Sequence, residues 1–323
     1  MITKIGTTKQ DVAEAAALVR AGELVAFPTE TVYGLGGNAL DADASRKIYA
    51  VKGRPSDNPL IVHLTKIEDA EKIAYVTPDA RRLYDAFCPG PLTMILKKKA
   101  VVPDATTGGR QTVAIRFPSH PVARELINRA GVPIAAPSAN KSKHVSPTAA
   151  AHVYEDLAGE IPMILEGGDA EVGIESTIVD LTGDTPTVLR PGAITAEEIR
   201  AVLGEGDYYR GEIKEALAPG MKYKHYSPKV PCYLAARESL QSALERLMAQ
   251  GLRPVLIATE ETAEKYAPSL SLGNTAKDAQ HRIYGTLREA ESYDAAVIED
   301  LSDRREYYAA MDRIKKATGG NRL

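Results

Sequence analysis

The sequence predicts an α/β protein of two domains, and three observations carry that prediction. A chain of 323 residues exceeds what one hydrophobic core usually fills. Short apolar runs alternate with stretches of helical spacing up to about residue 203, and again from residue 229 onward, which is the pattern of strands interleaved with helices. Between them, GEGDYYRGEIKEALAPGMKYKHYSP (204–228) has little apolar periodicity and carries Gly, Pro, Tyr and charge, as a long connection does. The expected boundaries are therefore a first domain at 1–203, a linker at 204–228 and a second domain at 229–323.

The elements follow in order. Residues 8–21 have helical apolar spacing and ELVAFP (23–28) reads as a buried strand. Gly34-Leu35-Gly36-Gly37-Asn38-Ala39 satisfies a dinucleotide fingerprint in form, but no clean strand end precedes it and no helix opens before about Asp43, so it reads as a tight turn. Asp41 and Asp43 cap a helix over 43–51. LIVHL (60–64) is a strand, 67–74 and 78–87 are helices, and strands follow at 92–98 and in TVAIRFP (112–118). Lys97–Lys99 reads as a solvated strand end. HPVARELINRAG is a helix closed by Gly131, followed by the strand VPIAAPS. A helix is expected to open at Pro147 with Ser146 as its cap. IPMILEGG, STIVDLT and TPTVLRPG are strands, and TAEEIRAVLG is the closing helix. Beyond the linker, VPCYLAA, RPVLIAT and YDAAVIED alternate with helices near 237–250, 259–266 and 276–291, which suggests a small doubly wound domain with a mostly parallel sheet.

Composition narrows the function classes. The chain is 44% hydrophobic and 26% charged with a net charge of −3, ordinary for a globular protein. Neither half is basic in bulk, which argues against a polyanion track. No apolar run is long enough to span a bilayer, and the first residues lack the order of a signal peptide. Cys88 and Cys232 stand without a CxxC or ligand context, so buried thiols in a reducing cytoplasm are expected. His144, His152 and His225 show no metal spacing, so no metal site is expected. There is no Walker loop, so any ATP would be bound without one.

Chemistry concentrates in two polar pairs. Lys52 and Arg54 flank Gly53, and Ser138 and Asn140 flank Ala139. Side chains two apart on an extended backbone leave on one face, so each pair could aim two polar groups at one ligand. The first pair suits a phosphate chain and the second a heterocycle, ribose or phosphate oxygen. Together they suggest a nucleotide site. Arg116 lies inside the apolar TVAIRFP, where a cation is either half of a buried ion pair or a carboxylate receptor. His63, Ser176 and Arg190 are individually uninformative: a core histidine, a capped turn and an edge cation would look the same.

The order of motifs adds more. PTETVYGLG, KGRPSDNPLIVH, PGPLT, TVAIRFP, APSAN, KHVSPT, GIESTIVD and VLRPGAI resemble the long, two-domain form of the YrdC-like threonylcarbamoyl-AMP synthases over nearly the whole chain. The resemblance implies a twisted open mixed sheet with helices in the first domain and a small Rossmann-like second domain. It implies an enzyme that makes L-threonylcarbamoyl-adenylate and pyrophosphate from L-threonine, bicarbonate and ATP, with Mg2+ bridging the phosphates. A partner transferase would then modify the adenosine beside a tRNA anticodon, so tRNA is met only indirectly. Lys52, Arg54, Asn58, Thr112, Ser138, Asn140, Ser146 and Arg190 match the family's ATP-binding positions, with Lys52 and Arg54 as its catalytic cations. Thr31, His63, Arg116, Ala136 and Ser176 match positions that hold threonine.

Tyr223, His225 and Tyr226 sit in a linker too aromatic for an inert spacer, and Tyr226 is expected to touch the nucleotide from a segment folded over the site. Two other readings remain open at this stage. One is an RNA-binding maturation module without turnover. The other is a carbamoyl-adenylate site like that of hydrogenase maturation proteins, for whose zinc-finger segments this chain has too few cysteines.

Overall fold

The computed structural model describes residues 1–204 and 226–323, and the chain divides into two compact units. The first holds Met1–Ser142, Pro147–Glu171 and the described residues from Glu175 to 204; the second holds Lys143–Ser146, Val172–Ile174 and the described residues from Tyr226 on.

In the first unit the elements run β1 (Lys4–Gly6), α1 (Lys9–Arg20), β2 (Val25–Phe27), β3 (Gly34–Asn38), α2 (Ala42–Lys52), β4 (Ile61–His63), α3 (Ile67–Ile73), α4 (Pro78–Phe87) and β5 (Leu92–Lys97). They continue α5 (Asp104–Thr107), β6 (Thr112–Arg116), α6 (Pro121–Ala130), β7 (Ile134–Ala135), α7 (Ala150–Leu157), β8 (Met163–Leu165), β9 (Thr177–Asp180), β10 (Thr187–Arg190) and α8 (Ala196–Leu203). Local chemistry sets several of these bounds. Thr8 and Asp11 form a reciprocal cap on α1, Asp41 accepts from the Asp43 and Ala44 amides at the start of α2, and Gly131 ends α6 at φ 66°.

The ten strands form one mixed sheet in the order β1-β8-β2-β3-β7-β4-β6-β5-β9-β10. β4 runs parallel to β6 and β5 to β9, while β5 and β6 are antiparallel. Alternation along the strands sorts residues to two faces. Val62, Met94, Leu96, Val113, Ile115 and Val179 join the main core on one face. On the other, α1 and α6 pack over β2, β7 and β8 through Val19, Leu126, Phe27 and Met163. Farther along that second face, over β4, β6, β5 and β9, the described residues place a small cluster of Ile61, Ile95, Ala114 and Ile178. The same period places His63, Arg116 and Thr93 beside that cluster.

Three local expectations need correcting. The glycine run at 34–38 is a strand, β3, antiparallel to both β2 and β7. Its glycines serve close packing: a Cβ on Gly36 would lie 2.7 Å from Phe27 Cε1 and 2.8 Å from Ile134 Cγ2. Helix α7 starts at Ala150, and its N-cap is Ala149, which offers no side-chain bond, so Ser146 is not the cap of this helix. The Pro147 and Thr148 carbonyls accept from the Tyr33 and Ala170 amides instead. Lys98 is no solvated end either, since its ammonium donates to the Val102 carbonyl at 3.1 Å and its side chain is 6% exposed.

The second unit runs β11 (Cys232–Ala235), α9 (Leu240–Met248), β12 (Pro254–Ala258), α10 (Glu260–Ala263), β13 (Ser269–Ser271), α11 (Ala276–Glu289), β14 (Ala295–Glu299) and α12 (Tyr308–Thr318). The strands form a wholly parallel sheet in the order β11-β14-β12-β13. The sequence pattern does not announce β13, a polar three-residue edge, or α12. No helix among the described residues is long and apolar enough to cross a membrane.

Candidate active site

Cross-strand register builds a polar row on the second face of the first unit's sheet. His63 on β4 stands opposite Ile134 on β7 and Arg116 on β6, and Arg116 stands opposite Thr93 on β5. Thr93 Oγ1 lies 2.7 Å from Ser176 Oγ, and Arg190 grips the same serine, donating from Nε to its carbonyl at 3.0 Å and from Nη2 to its Oγ at 3.1 Å. On the other side, Arg116 Nη2 donates to Thr29 Oγ1 at 3.3 Å, and Thr29 Oγ1 is 3.0 Å from Thr31 Oγ1. Ala136 joins through its amide, which donates to the Ile61 carbonyl at 2.8 Å. Thr31, His63, Arg116, Ala136 and Ser176, scattered in sequence, are thus tied into one neighbourhood, with Arg190 at its edge. Thr112 lies on the same face of β6 as Arg116, two alternations away.

Sequence reasoning missed three members of this group: Thr29, Thr93 and Glu30. Glu30 Oε1 is 2.8 Å from Arg116 Nη2, with both side chains buried, and Glu30 Oε2 accepts from the Ser119 amide at 3.1 Å. A cation inside an apolar stretch needs a partner, and so does the acid inside VAFPTETVYG, which is the signal in the sequence that marks Glu30.

Electrostatics here follow burial. His63 is pulled down to about 3, by desolvation first and the Arg116 charge second. It is therefore a neutral imidazole, with Nδ1 3.0 Å from the Ile61 carbonyl oxygen. The Cys88 thiol is pushed up to about 12, by burial first and then by the Glu30 charge.

The two polar pairs meet each other. Lys52 Nζ donates to the Ser138 carbonyl at 2.5 Å and to the Asn140 carbonyl, and the Ser142 amide donates to the Lys52 carbonyl at 2.8 Å. Ser138 Oγ donates to Asn140 Oδ1 at 2.5 Å, so that pair does share a face. Lys52 and Arg54 do not sit on extended backbone: Lys52 ends α2, and Gly53 turns the chain at φ 59°. A left-handed cap brings Arg54 back to donate to the Asn58 and Pro59 carbonyls, both at 3.2 Å. Burial, and then the Arg54 charge, hold the Lys52 ammonium well below the usual lysine range. Asn58 Oδ1 is buried without a hydrogen-bond partner. The donor set of cations, amides and hydroxyls suits an anionic, heterocyclic ligand.

Ser146 and Tyr226 belong to the second unit. Tyr226, at φ 63°, is buried with its ring centroid 5.3 Å from that of Tyr284 and the Arg313 guanidinium 5.9 Å away. Tyr223 and His225, like most of the 204–228 segment, lie outside the described residues.

Comparison with known proteins bears on both units. A family model described as telomere recombination matches residues 17–192, and one described as the threonylcarbamoyl-AMP synthase C-terminal domain matches residues 194–319. A threonylcarbamoyl-AMP synthase of Bacillus subtilis is 43% identical over 98% of this chain and 95% of its own. The chain belongs to the threonylcarbamoyl-AMP synthase family. A second member, from Pyrococcus abyssi, is 42% identical over 94% of this chain and 93% of its own. The crystal structure of P. abyssi Sua5 complexed with L-threonine superposes on the fold with a TM-score of 0.93, covering 100% of this chain and 99% of that one at 38% identity. The likeness spans both units, as the sequence resemblance implied for a long-form family member.

Proposed function

We propose that this chain is a threonylcarbamoyl-AMP synthase, condensing L-threonine, bicarbonate and ATP into L-threonylcarbamoyl-adenylate and pyrophosphate. One observation supports this reading above the others. A buried guanidinium, Arg116, stands in a row of hydroxyls and a neutral imidazole, in the same unit as the joined Lys52 and Ser138–Asn140 motifs. The first arrangement suits a small hydroxylated amino acid; the second suits a nucleotide.

In the reaction, the N-carboxylate made from threonine and bicarbonate attacks the α-phosphate of ATP and expels pyrophosphate. No protein nucleophile is needed, so the residues position groups and offset charge. Arg116 would hold the α-carboxylate through its Nε, which is buried without a partner, beside Thr31, His63, Ser176 and the Ala136 backbone. Lys52 and Arg54 would exchange backbone carbonyls for phosphate oxygens as ATP enters, with Asn58, Thr112, Ser138, Asn140 and Arg190 as further nucleotide contacts. Among the described residues no group of three or more His, Cys, Asp or Glu is placed to hold a metal ion. Cations and amides fit phosphate oxygens, so Mg2+ would ride on the phosphates of ATP. The mixed anhydride would pass to a transferase that acts on tRNA. Of the proposed domains, 1–203, 204–228 and 229–323, the first would carry the chemistry.

Because the attacking group contains bicarbonate carbon, pyrophosphate release is expected only when threonine, bicarbonate and ATP are all present. Undiminished release in carbon-dioxide-depleted buffer would overturn the mechanism.

A further inference from the structure

Arg116 is not a bare cation. Glu30 Oε1 lies 2.8 Å from Arg116 Nη2, yet that oxygen has no aligned hydrogen bond, and neither does Arg116 Nε. Both side chains are about 95% buried, with exposures of 4% and 5%. The other Glu30 oxygen is fixed by the Ser119 amide, which keeps Oε1 on the side of Arg116. A buried ion pair in which one carboxylate oxygen and one guanidinium nitrogen lack a hydrogen bond keeps a desolvation cost that a ligand could relieve.

The chemistry of that relief is specific. The pair is neutral overall, so it offers a simple anion little net attraction. A zwitterion, with its carboxylate and ammonium one carbon apart, meets opposite charges on adjacent atoms. We propose that Glu30 and Arg116 together form a receptor for the amino-acid zwitterion, with Arg116 Nε taking the α-carboxylate and Glu30 Oε1 the α-ammonium. Glu30 is thereby a specificity-determining residue, selecting α-amino acids over hydroxy acids. This rests on the functional reading above, which supplies the amino acid but assigns Glu30 no role.

The test compares two ligands by titration calorimetry on the full chain: L-threonine, and 2,3-dihydroxybutyrate of matching stereochemistry, which replaces the ammonium with a hydroxyl. For the wild type, dihydroxybutyrate should bind at least about 100-fold more weakly, the scale of a lost charged hydrogen bond to a buried partner. Glu30→Gln keeps the shape and the Ser119 bond; it should cost threonine about 100-fold and leave dihydroxybutyrate within about threefold. If wild-type affinities for the two ligands lie within tenfold, the receptor is wrong, and that comparison stands even should the variant fail to fold. Equal losses for both ligands in Glu30→Gln would likewise overturn it, leaving Glu30 as a support for Arg116 alone. No binding of L-threonine by the wild type would instead sink the functional reading and the receptor with it.

Discussion

At His63 a ring 2% exposed lies edge-on to Phe27, with centroids 5.9 Å apart, and its affinity for protons collapses. The unfolded chain takes up a proton near the ordinary histidine value of 6.5, whereas the folded protein holds out to about 3. Between those two values the unfolded state binds more protons, so stability rises with pH across this window and is lost as pH falls through it. A single group contributes up to about 1.4 kcal/mol per pH unit there. Urea denaturation at pH 7.5 and pH 5 should therefore show a smaller loss on acidification for His63→Gln than for the wild type; equal losses would assign the acid sensitivity elsewhere. What could be read of this residue in the sequence was its position on a buried strand. Its role was not readable, because that depends on Arg116 arriving opposite it, and cross-strand register is a property of the assembled sheet. Arg116 itself was legible as a cation in need of a partner. Glu30 was not matched to it, since the two lie far apart in sequence and meet only where the loop after β2 reaches the end of β6.

Between elements, turns decide where side chains go. The hairpin of β9 and β10 carries Ser176 just before one strand and Arg190 at the end of the other, and Gly192 closes the loop that follows. A Cβ on Gly192 would fall 2.4 Å from the Thr177 amide nitrogen and 2.8 Å from the Ser176 carbonyl carbon. Those are backbone atoms that no rotamer change can move away. Gly192→Ala is expected to cost about 1–3 kcal/mol in chemical denaturation and, by displacing Arg190 from Ser176, to raise the KM for ATP. A destabilised variant with unchanged ATP kinetics would remove Arg190 from the nucleotide site. Helices with strong punctuation were read well: α4 spans Pro78–Phe87 as expected, with Thr77 and Pro78 marking its start. The glycine run of β3 was misread because an unpaired sequence cannot show two neighbouring strands; glycine signals freedom in a loop and close approach in a sheet, and only packing distinguishes them. Likewise Lys52 and Arg54 came together through a left-handed helix cap, where strand alternation had been the argument.

For the whole molecule, both sheets were legible as α/β, because the alternation of periods survives any error at the boundaries. The interleaving of the two units was not. Residues 143–146 and 172–174 fall inside the first stretch of sequence but fold with the second unit. The Ser227 amide donates to the Lys143 carbonyl at 3.0 Å, and Arg288 Nη2 donates to the Val145 carbonyl at 2.8 Å. Nothing in the local pattern of KHVS or VGI announces those partners. A chain ending at Leu203 retains every strand of the ten-stranded sheet and should still unfold cooperatively, but it strips segment 143–146 of its anchors. Trypsin is expected to cut after Lys141 and Lys143 several-fold faster in the truncated chain than in the full one; equal rates would mean that the loop holds itself.

That interleaving also bears on any attempt to trade parts between relatives. Lys143 at φ 77° and Tyr226 at φ 63° are both held in a backbone region that side-chain-bearing residues rarely adopt, and a single hydrogen bond joins the carbonyl of the first to the residue after the second. A chimera spliced only within residues 204–228 would graft a foreign second half onto the native 143–146 and 172–174 segments, including Gly173, whose added Cβ would sit 2.4 Å from the His281 carbonyl oxygen. The graft that respects this architecture carries three pieces of chain, and the shortest of them is three residues long.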